Sequence, residues 1–139
     1  MLTRILSKRV VPLSHRLEFG NLFTRPQFRT FSITPPSFES AAMAELHAIA
    51  EAVDSQIDAV GAEAVEFHEG VLSVEFPNGT FVLNKHAASG QIWYSSPVSA
   101  PAYFDRRPTG WISSKLGLSL RDKFSNDILT LTGHRVGLE

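Results

Sequence analysis

The stretch NKHAASGQIWYSSP, Asn84 to Pro97, decides how the rest of the chain is read. Gln91, Ile92, Trp93, Tyr94 and Ser95 alternate in character with a period of two, the repeat of a β-strand whose successive side chains point to opposite faces. If Ile92 and Tyr94 point into a core, Gln91, Trp93 and Ser95 point away from it. The expectation is a sheet covered on one side only, with a tryptophan standing on the side without a cover.

The flanking sequence supplies the rest of that sheet. AVEF, GVLSVEF and GTFVLN are short, rich in Val and Phe, and separated by HEG and PNG turns. Leu72, Val74 and Phe76 share one face, and so do Phe81 and Leu83. Phe67, Phe76, Phe81 and Phe124 are core by periodicity. Ser89-Gly90 turns the chain into the Trp93 strand, SSPVSAPA leads to Tyr103-Phe104, and TGWIS supplies a further short strand with Trp111 in the core. Before the sheet, Ser37 or Ser40 caps a helix whose apolar residues recur at Met43, Leu46, Ile49, Val53, Ile57 and Val60, ending at Gly61. After it, Leu120, Phe124, Ile128 and Leu131 mark a second amphipathic helix. Connections this short force neighbouring strands antiparallel. Two helices with one apolar stripe each cover a single sheet face. The expected fold is therefore α+β, a two-layer sandwich with the N- and C-terminal helices on one face of an antiparallel sheet. Asn84 and Gln91 are expected beside Trp93 on the other face.

Composition bounds the chemistry. The 139 residues, 43% hydrophobic and 19% charged, suit one domain with a real core. With no cysteine the chain alone builds no disulfide, thiolate metal site or thiol nucleophile. The net charge of -1 conceals an asymmetry. Residues 1–32 carry Arg4, Lys8, Arg9, Arg16, Arg25 and Arg29 against Glu18 alone, and the remainder is net acidic. An Arg- and Ser-rich, acid-poor N-terminus without a long apolar run reads as a mitochondrial targeting segment. RTFSITPPSF, Arg29 to Phe38, resembles a processing site, with removal near Phe31/Ser32 or trimming to before about Ser37–Glu39. The expected organisation is a presequence over 1–36, a domain over 37–133, a short tail over 134–139, and residence in the mitochondrial matrix. A basic tail for nucleic acid or anionic lipid is the rival, but no aromatic-plus-basic pattern continues into the body.

The acids ask for an explanation of their own. Between Arg29 and Lys85 there is no Lys or Arg, yet Glu39, Glu45, Glu51, Asp54, Asp58, Glu63, Glu66, Glu69 and Glu75 fall in that interval. On one continuous helix Glu51, Asp54 and Asp58 share a face, with Asp58 near the C-terminus where the dipole disfavours an anion. A solvated acidic face is the plain reading. The sharper one is a surface for a hard cation such as ferrous iron, manganese, magnesium or calcium, since carboxylate oxygens suit these ions. Its candidate ligands are Glu51, Asp54, Asp58, Glu63, Glu66, Glu69 and His47, the last one turn before Glu51. His68 in the FHEG turn is an ordinary surface histidine by spacing, and no pair has His-Glu-x-x-His spacing.

The run VLNKHAASGQIWYSSPVSAPAYFD followed by GW resembles the core signature of the frataxin family. Asn84-Lys85, Gln91-Ile92-Trp93-Tyr94-Ser95-Ser96-Pro97, Pro101, Phe104-Asp105 and Trp111 carry the resemblance, which covers roughly Phe38 to Thr132. It implies weak binding of ferrous iron on an acidic ridge. It also implies docking on the mitochondrial complex of cysteine desulfurase and iron–sulfur scaffold protein, where the family accelerates persulfide sulfur transfer. By the same resemblance Asn84, Gln91 and Trp93 contact those partners, and a ferroxidase activity with iron-dependent oligomerisation is implied for some members. Many frataxins have a pair containing Lys or Arg before the aromatic-Asp; this chain has Ala102-Tyr103, with Arg106-Arg107 following. Two rivals stand beside the accessory protein. An iron-oxidising or storage protein is one, although the paired Glu-x-x-His motifs of buried di-iron oxidases are absent. The other is an acidic mitochondrial adaptor with no metal role.

Sequencing the N-terminus of the protein from mitochondria is expected to begin downstream of Arg29; an intact Met1 there would contradict the presequence reading.

Overall fold

A computed structural model describes residues 34–139, and the expected presequence lies outside the described residues except for its last three positions. The order is α1 (Phe38–Asp54), α2 (Ile57–Val60), β1 (Ala64–His68), β2 (Val71–Phe76), β3 (Gly79–His86), β4 (Gln91–Ser95), β5 (Ala102–Arg107), β6 (Gly110–Ser113), β7 (Leu118–Ser119) and α3 (Leu120–Thr132). The strands form one antiparallel sheet in sequence order. Each connection is too short for a crossover, which leaves a meander as the available topology. Helix α1 packs over β1–β3 and α3 over β6 and β7. The two-layer sandwich expected from the sequence is the fold observed.

Period-two alternation sorts the strands β2 to β6. Leu72, Val74, Phe81, Leu83, Ile92, Tyr94, Ala102, Phe104 and Trp111 are buried under the helices against Leu46, Ile49, Val53, Leu120, Phe124 and Ile128. Phe81 meets Phe76 and Phe124 edge-on at 5.6 and 5.5 Å between ring centroids, the geometry aromatic quadrupoles prefer. Ser37 is the N-cap of α1, its Oγ accepting the Ser40 N–H at 3.1 Å. Ser119 caps α3 in the same way through Asp122. These hydroxyls satisfy donors that the first helical turn leaves without partners. At Gly79, which pairs with Phe76 across the β2–β3 turn, a Cβ would lie 2.5 Å from Pro97 Cβ, so the close approach of the β4–β5 loop requires glycine.

Three features differ from the sequence reading. The first helix does not run unbroken to Gly61. It stops at Asp54, and a separate single turn, α2, carries Ile57 to Val60 before Gly61 closes it in a left-handed conformation. The interruption is at Gln56, whose carboxamide donates to the carbonyls of Ala52 and Gly137 and accepts the Gly137 N–H at 2.9 Å. Those bonds also show that the tail is packed, not free. Val136 is fully buried and its carbonyl accepts from Ser125 Oγ. β7, two residues long, has too little sequence to carry a pattern.

A buried polar network ties α3 to the sheet. Tyr94 Oη and Ser99 Oγ donate to Asp127 Oδ2 at 2.7 and 2.6 Å, and Lys123 Nζ donates to both carboxylate oxygens and to Ser99. Burial alone would push the Asp127 carboxyl up. The hydrogen bonds from Ser99, Lys123 and Tyr94 outweigh it and hold the group below the usual carboxylate range. Burial, and then the bond to Asp127, push the Tyr94 phenol up, so it remains a donor. A carboxylate with a depressed folded pKa adds stability above its unfolded pKa, and this is lost as pH falls through the folded value.

Asp127→Asn is therefore expected to cost about 3 kcal/mol at neutral pH, because Lys123 loses a buried partner. The gap between variant and parent should narrow as pH falls below about 4, the range of an unfolded carboxyl, toward the lower folded value of the parent's carboxyl. Urea unfolding at both pH values checks this, and a gap independent of pH would contradict it.

Candidate functional site

The uncovered face is built by cross-strand register. Val71, Asn84, Trp93 and Tyr103 are successive partners across β2–β5, so one row of side chains crosses the sheet. The neighbouring row is His86, Gln91, Asp105 and Ile112. Trp93 is 37% exposed and Tyr103 50%. His86 stacks on the indole at 3.7 Å between centroids and 11° between planes, and Tyr103 meets it edge-on at 5.3 Å. Gln91 fixes the indole from below: its Oε1 accepts the Trp93 N–H at 3.4 Å while its Nε2 donates to Asp105 at 3.0 Å. Beside Trp93 lies a shallow cavity of about 200 Å³, bordered by Val82, Asn84, Pro101 and Tyr103.

This surface is an aromatic anchor held in one orientation, the composition enriched at the centre of protein interfaces. The His86 ring also meets Ser89 Oγ at 2.8 Å, at the exposed β3–β4 turn. His86 and Tyr103 were not among the expected contact residues. His86 was legible in principle, because it lies two residues from Asn84 on the same strand. Tyr103 reaches Trp93 only through the β4–β5 pairing, which depends on a loop of irregular sequence. As for the missing cation, Arg107 lies on the uncovered side with its guanidinium 3.9 Å from Asp105. Arg106 turns to the helical side and donates to the Pro36 carbonyl.

The acids divide into two groups. Glu39 pairs with Lys85, and Glu45 binds Arg121 at 2.8 and 3.0 Å, so these two hold the helical layer to β3 and α3. Among the described residues, Glu51, Asp54, Asp58, Glu63, Glu66 and Glu69 have no Lys or Arg partner. Glu51 and Asp54 are exposed on α1, with His47 Nδ1 3.6 Å from the Glu51 carboxylate. The break takes Asp58 off α1 and places it in the single turn α2, where it is exposed. Glu63 precedes β1, Glu66 is exposed on it, and Glu69 sits in the β1–β2 turn at a φ of 49°. Among the described residues no three His, Asp or Glu converge on one point as a metal centre. Exposed carboxylates without basic partners fit a hard cation held loosely at a surface, not in a cage.

Residues 31–134 match the family model described as the Frataxin-like domain. The chain belongs to the frataxin family. It is 38% identical over 65 residues to the mitochondrial frataxin homologue of Saccharomyces cerevisiae, covering 46% of this chain and 37% of that protein. To the iron–sulfur cluster assembly protein CyaY of Thioalkalivibrio sulfidiphilus it is 32% identical over 87 residues, 60% of this chain and 80% of that one. Among solved structures, trimeric yeast frataxin complexed with ferrous iron superposes with a TM-score of 0.62 at 29% identity, over 68% of this chain and 87% of that chain. The matched region spans only 36% to 50% of the length of the first three curated mitochondrial relatives. Frataxin relatives from several eukaryotes are named mitochondrial, the localisation expected from the basic N-terminus. Among the described residues no helix is long and apolar enough to cross a membrane.

Replacing Glu51, Asp54 and Asp58 together by Gln, Asn and Asn is expected to leave stability within about 0.5 kcal/mol, the usual range for surface changes. Relief of the repulsion between Glu51 and Asp54 is worth only about 0.2–0.5 kcal/mol. Urea unfolding checks this; a loss above about 2 kcal/mol would show structural partners for these acids.

Proposed function

We propose that this frataxin-family protein is an iron-binding accessory protein of the mitochondrial matrix. It docks its Trp93 face on the complex of cysteine desulfurase and iron–sulfur scaffold protein and promotes cluster assembly there. The observation that carries the reading is the exposed His86–Trp93–Tyr103 cluster braced by Gln91 and Asp105. A tryptophan held in one rotamer loses little entropy on docking, so more of its buried area becomes affinity. Asn84, half-buried in the same row, offers its carboxamide beside the ring. The protein itself then acts as an activator: it positions its partners and carries none of the reacting groups.

Iron is the cargo in this reading. Glu51, Asp54, Asp58, Glu63, Glu66, Glu69 and His47 hold ferrous iron weakly and in more than one place, with an affinity that falls as salt rises. The solved yeast relative in complex with ferrous iron supports iron as the ion. It is also trimeric, which supports an iron-dependent oligomer as the second state beside a monomer.

Trp93→Ala tests the docking half. The variant should retain its folding stability to within about 1 kcal/mol. It should lose about 2 kcal/mol, roughly thirtyfold, in affinity for the desulfurase–scaffold complex. Asn84→Ala and Gln91→Ala should weaken binding less, through lost hydrogen bonds. Trp111→Ala is the control and should cost about 3–5 kcal/mol of stability as a core truncation. Unfolding and binding curves for both tryptophan variants decide between the faces; unchanged affinity in a folded Trp93→Ala protein would refute the docking reading.

A further inference from the structure

The main-chain hydrogen bonds of the sheet follow one phase from strand to strand. Lys85 N–H donates to the Gly70 carbonyl at 2.8 Å, one step beyond the Val71↔Asn84 pair. In an antiparallel ladder a residue directs both its N–H and its C=O to one neighbouring strand, and the next residue directs both to the other. The register is unbroken across β3, β4 and β5, so Ile92–Phe104 and Tyr94–Ala102 are the bonded pairs between β4 and β5. The alternate residues Tyr103, Asp105 and Arg107 turn their main-chain groups toward β6.

Asp105 and Arg107 meet Ile112 and Gly110 there. Tyr103 meets no strand. After Ile112 the chain leaves β5, and Ser113 pairs with Leu118 of β7 instead. The opening is a cleft of about 450 Å³, bordered by Pro101, Ala102, Tyr103 and the turn that begins at Ser113. A cleft of about 300–1,000 Å³ holds a drug-sized molecule, which is also the size of a few residues of chain. Among the described residues the Tyr103 N–H and C=O have no backbone partner in it. The exposed side chains of Tyr103 and Leu116 flank the opening with apolar surface.

We propose that an extended segment of the partner that docks on the Trp93 face enters this cleft as a short antiparallel strand and exchanges main-chain hydrogen bonds with Tyr103. This contact rests on the docking reading above and extends it. The free N–H and C=O of one strand residue are matched by the C=O and N–H of another peptide, and an unpaired strand edge is a template for such pairing. Continuity singles out the same partner. Tyr103 packs edge-on against Trp93 and also lines the cleft, so a chain bound to the indole is one side chain away from the opening. The residue opposite Tyr103 shares the uncovered face with it, where a β-branched or aromatic side chain gains most from the ring and from Leu116.

Amide hydrogen exchange and a proline substitution test this contact. In the free protein the Tyr103 amide should exchange fast beside the protected amides of Phe104 and Asp105. In the desulfurase–scaffold complex it should slow at least about tenfold. Tyr103→Pro removes the N–H without breaking the ladder to β4, whereas Tyr103→Ala removes the ring and keeps the N–H. The proline variant should bind the complex about fivefold more weakly than the alanine variant, the scale of one hydrogen bond. Should the proline variant not fold, exchange in the unaltered chain decides alone. Fast Tyr103 exchange in a complex that Trp93→Ala weakens overturns the added strand and leaves the docking reading in place. Equal binding by the two folded variants, or a slow Tyr103 amide in the free protein, does the same. Unchanged affinity in a folded Trp93→Ala protein overturns both.

Discussion

Seven strands in a meander present two faces, and among the described residues the helices cover only one of them. That mismatch governs the molecule. Burying Ile92 and Tyr94 under α1 and α3 obliges Gln91, Trp93 and Ser95 to face outward, because a strand cannot turn one side chain without the next. The Asp127 network then anchors α3 to Tyr94 and Ser99, so the helical layer also fixes the strand and loop that carry the exposed aromatics. Core and surface are in this sense one arrangement: the rigidity of the Trp93 face derives from the packing beneath it.

Much of this was legible because β2, β3 and β4 have clean alternation and tight turns. Leu72, Val74, Phe81, Leu83, Ile92 and Tyr94 lie on the face that period two assigns them, and Trp93 stands opposite. The break in the first helix was not legible. The apolar stripe continues through Ile57 and Val60, and the interruption comes from Gln56 binding Gly137, a residue 81 positions away. The same long-range contact converts the last residues from a tail into part of the core. The break also takes Asp58 off the helix that carries Glu51 and Asp54 and places it in the single turn α2. Local patterns carry no information about such contacts.

The candidate site was readable to a similar depth. Asn84, Gln91 and Trp93 were placed on one face by alternation and motif, whereas the His86 stack and the Tyr103 edge contact depend on strand register. For the acids, composition marked a region poor in bases, but only the fold separates Glu39 and Glu45, which have structural cation partners, from the exposed carboxylates that have none. The division gives the domain two distinct surfaces: an aromatic face suited to a protein partner and an acidic border suited to a loosely held cation.

The central claim is that the uncovered sheet face meets the partner. Cross-saturation from an unlabelled desulfurase–scaffold complex into the labelled protein tests it most directly, since the transfer reaches only groups at the contact. Attenuation is predicted at Asn84, His86, Gln91, Trp93 and Tyr103, with the outward residues of α3, such as Asn126 and Thr130, unaffected. Attenuation along α3 with the Trp93 row untouched would contradict the account.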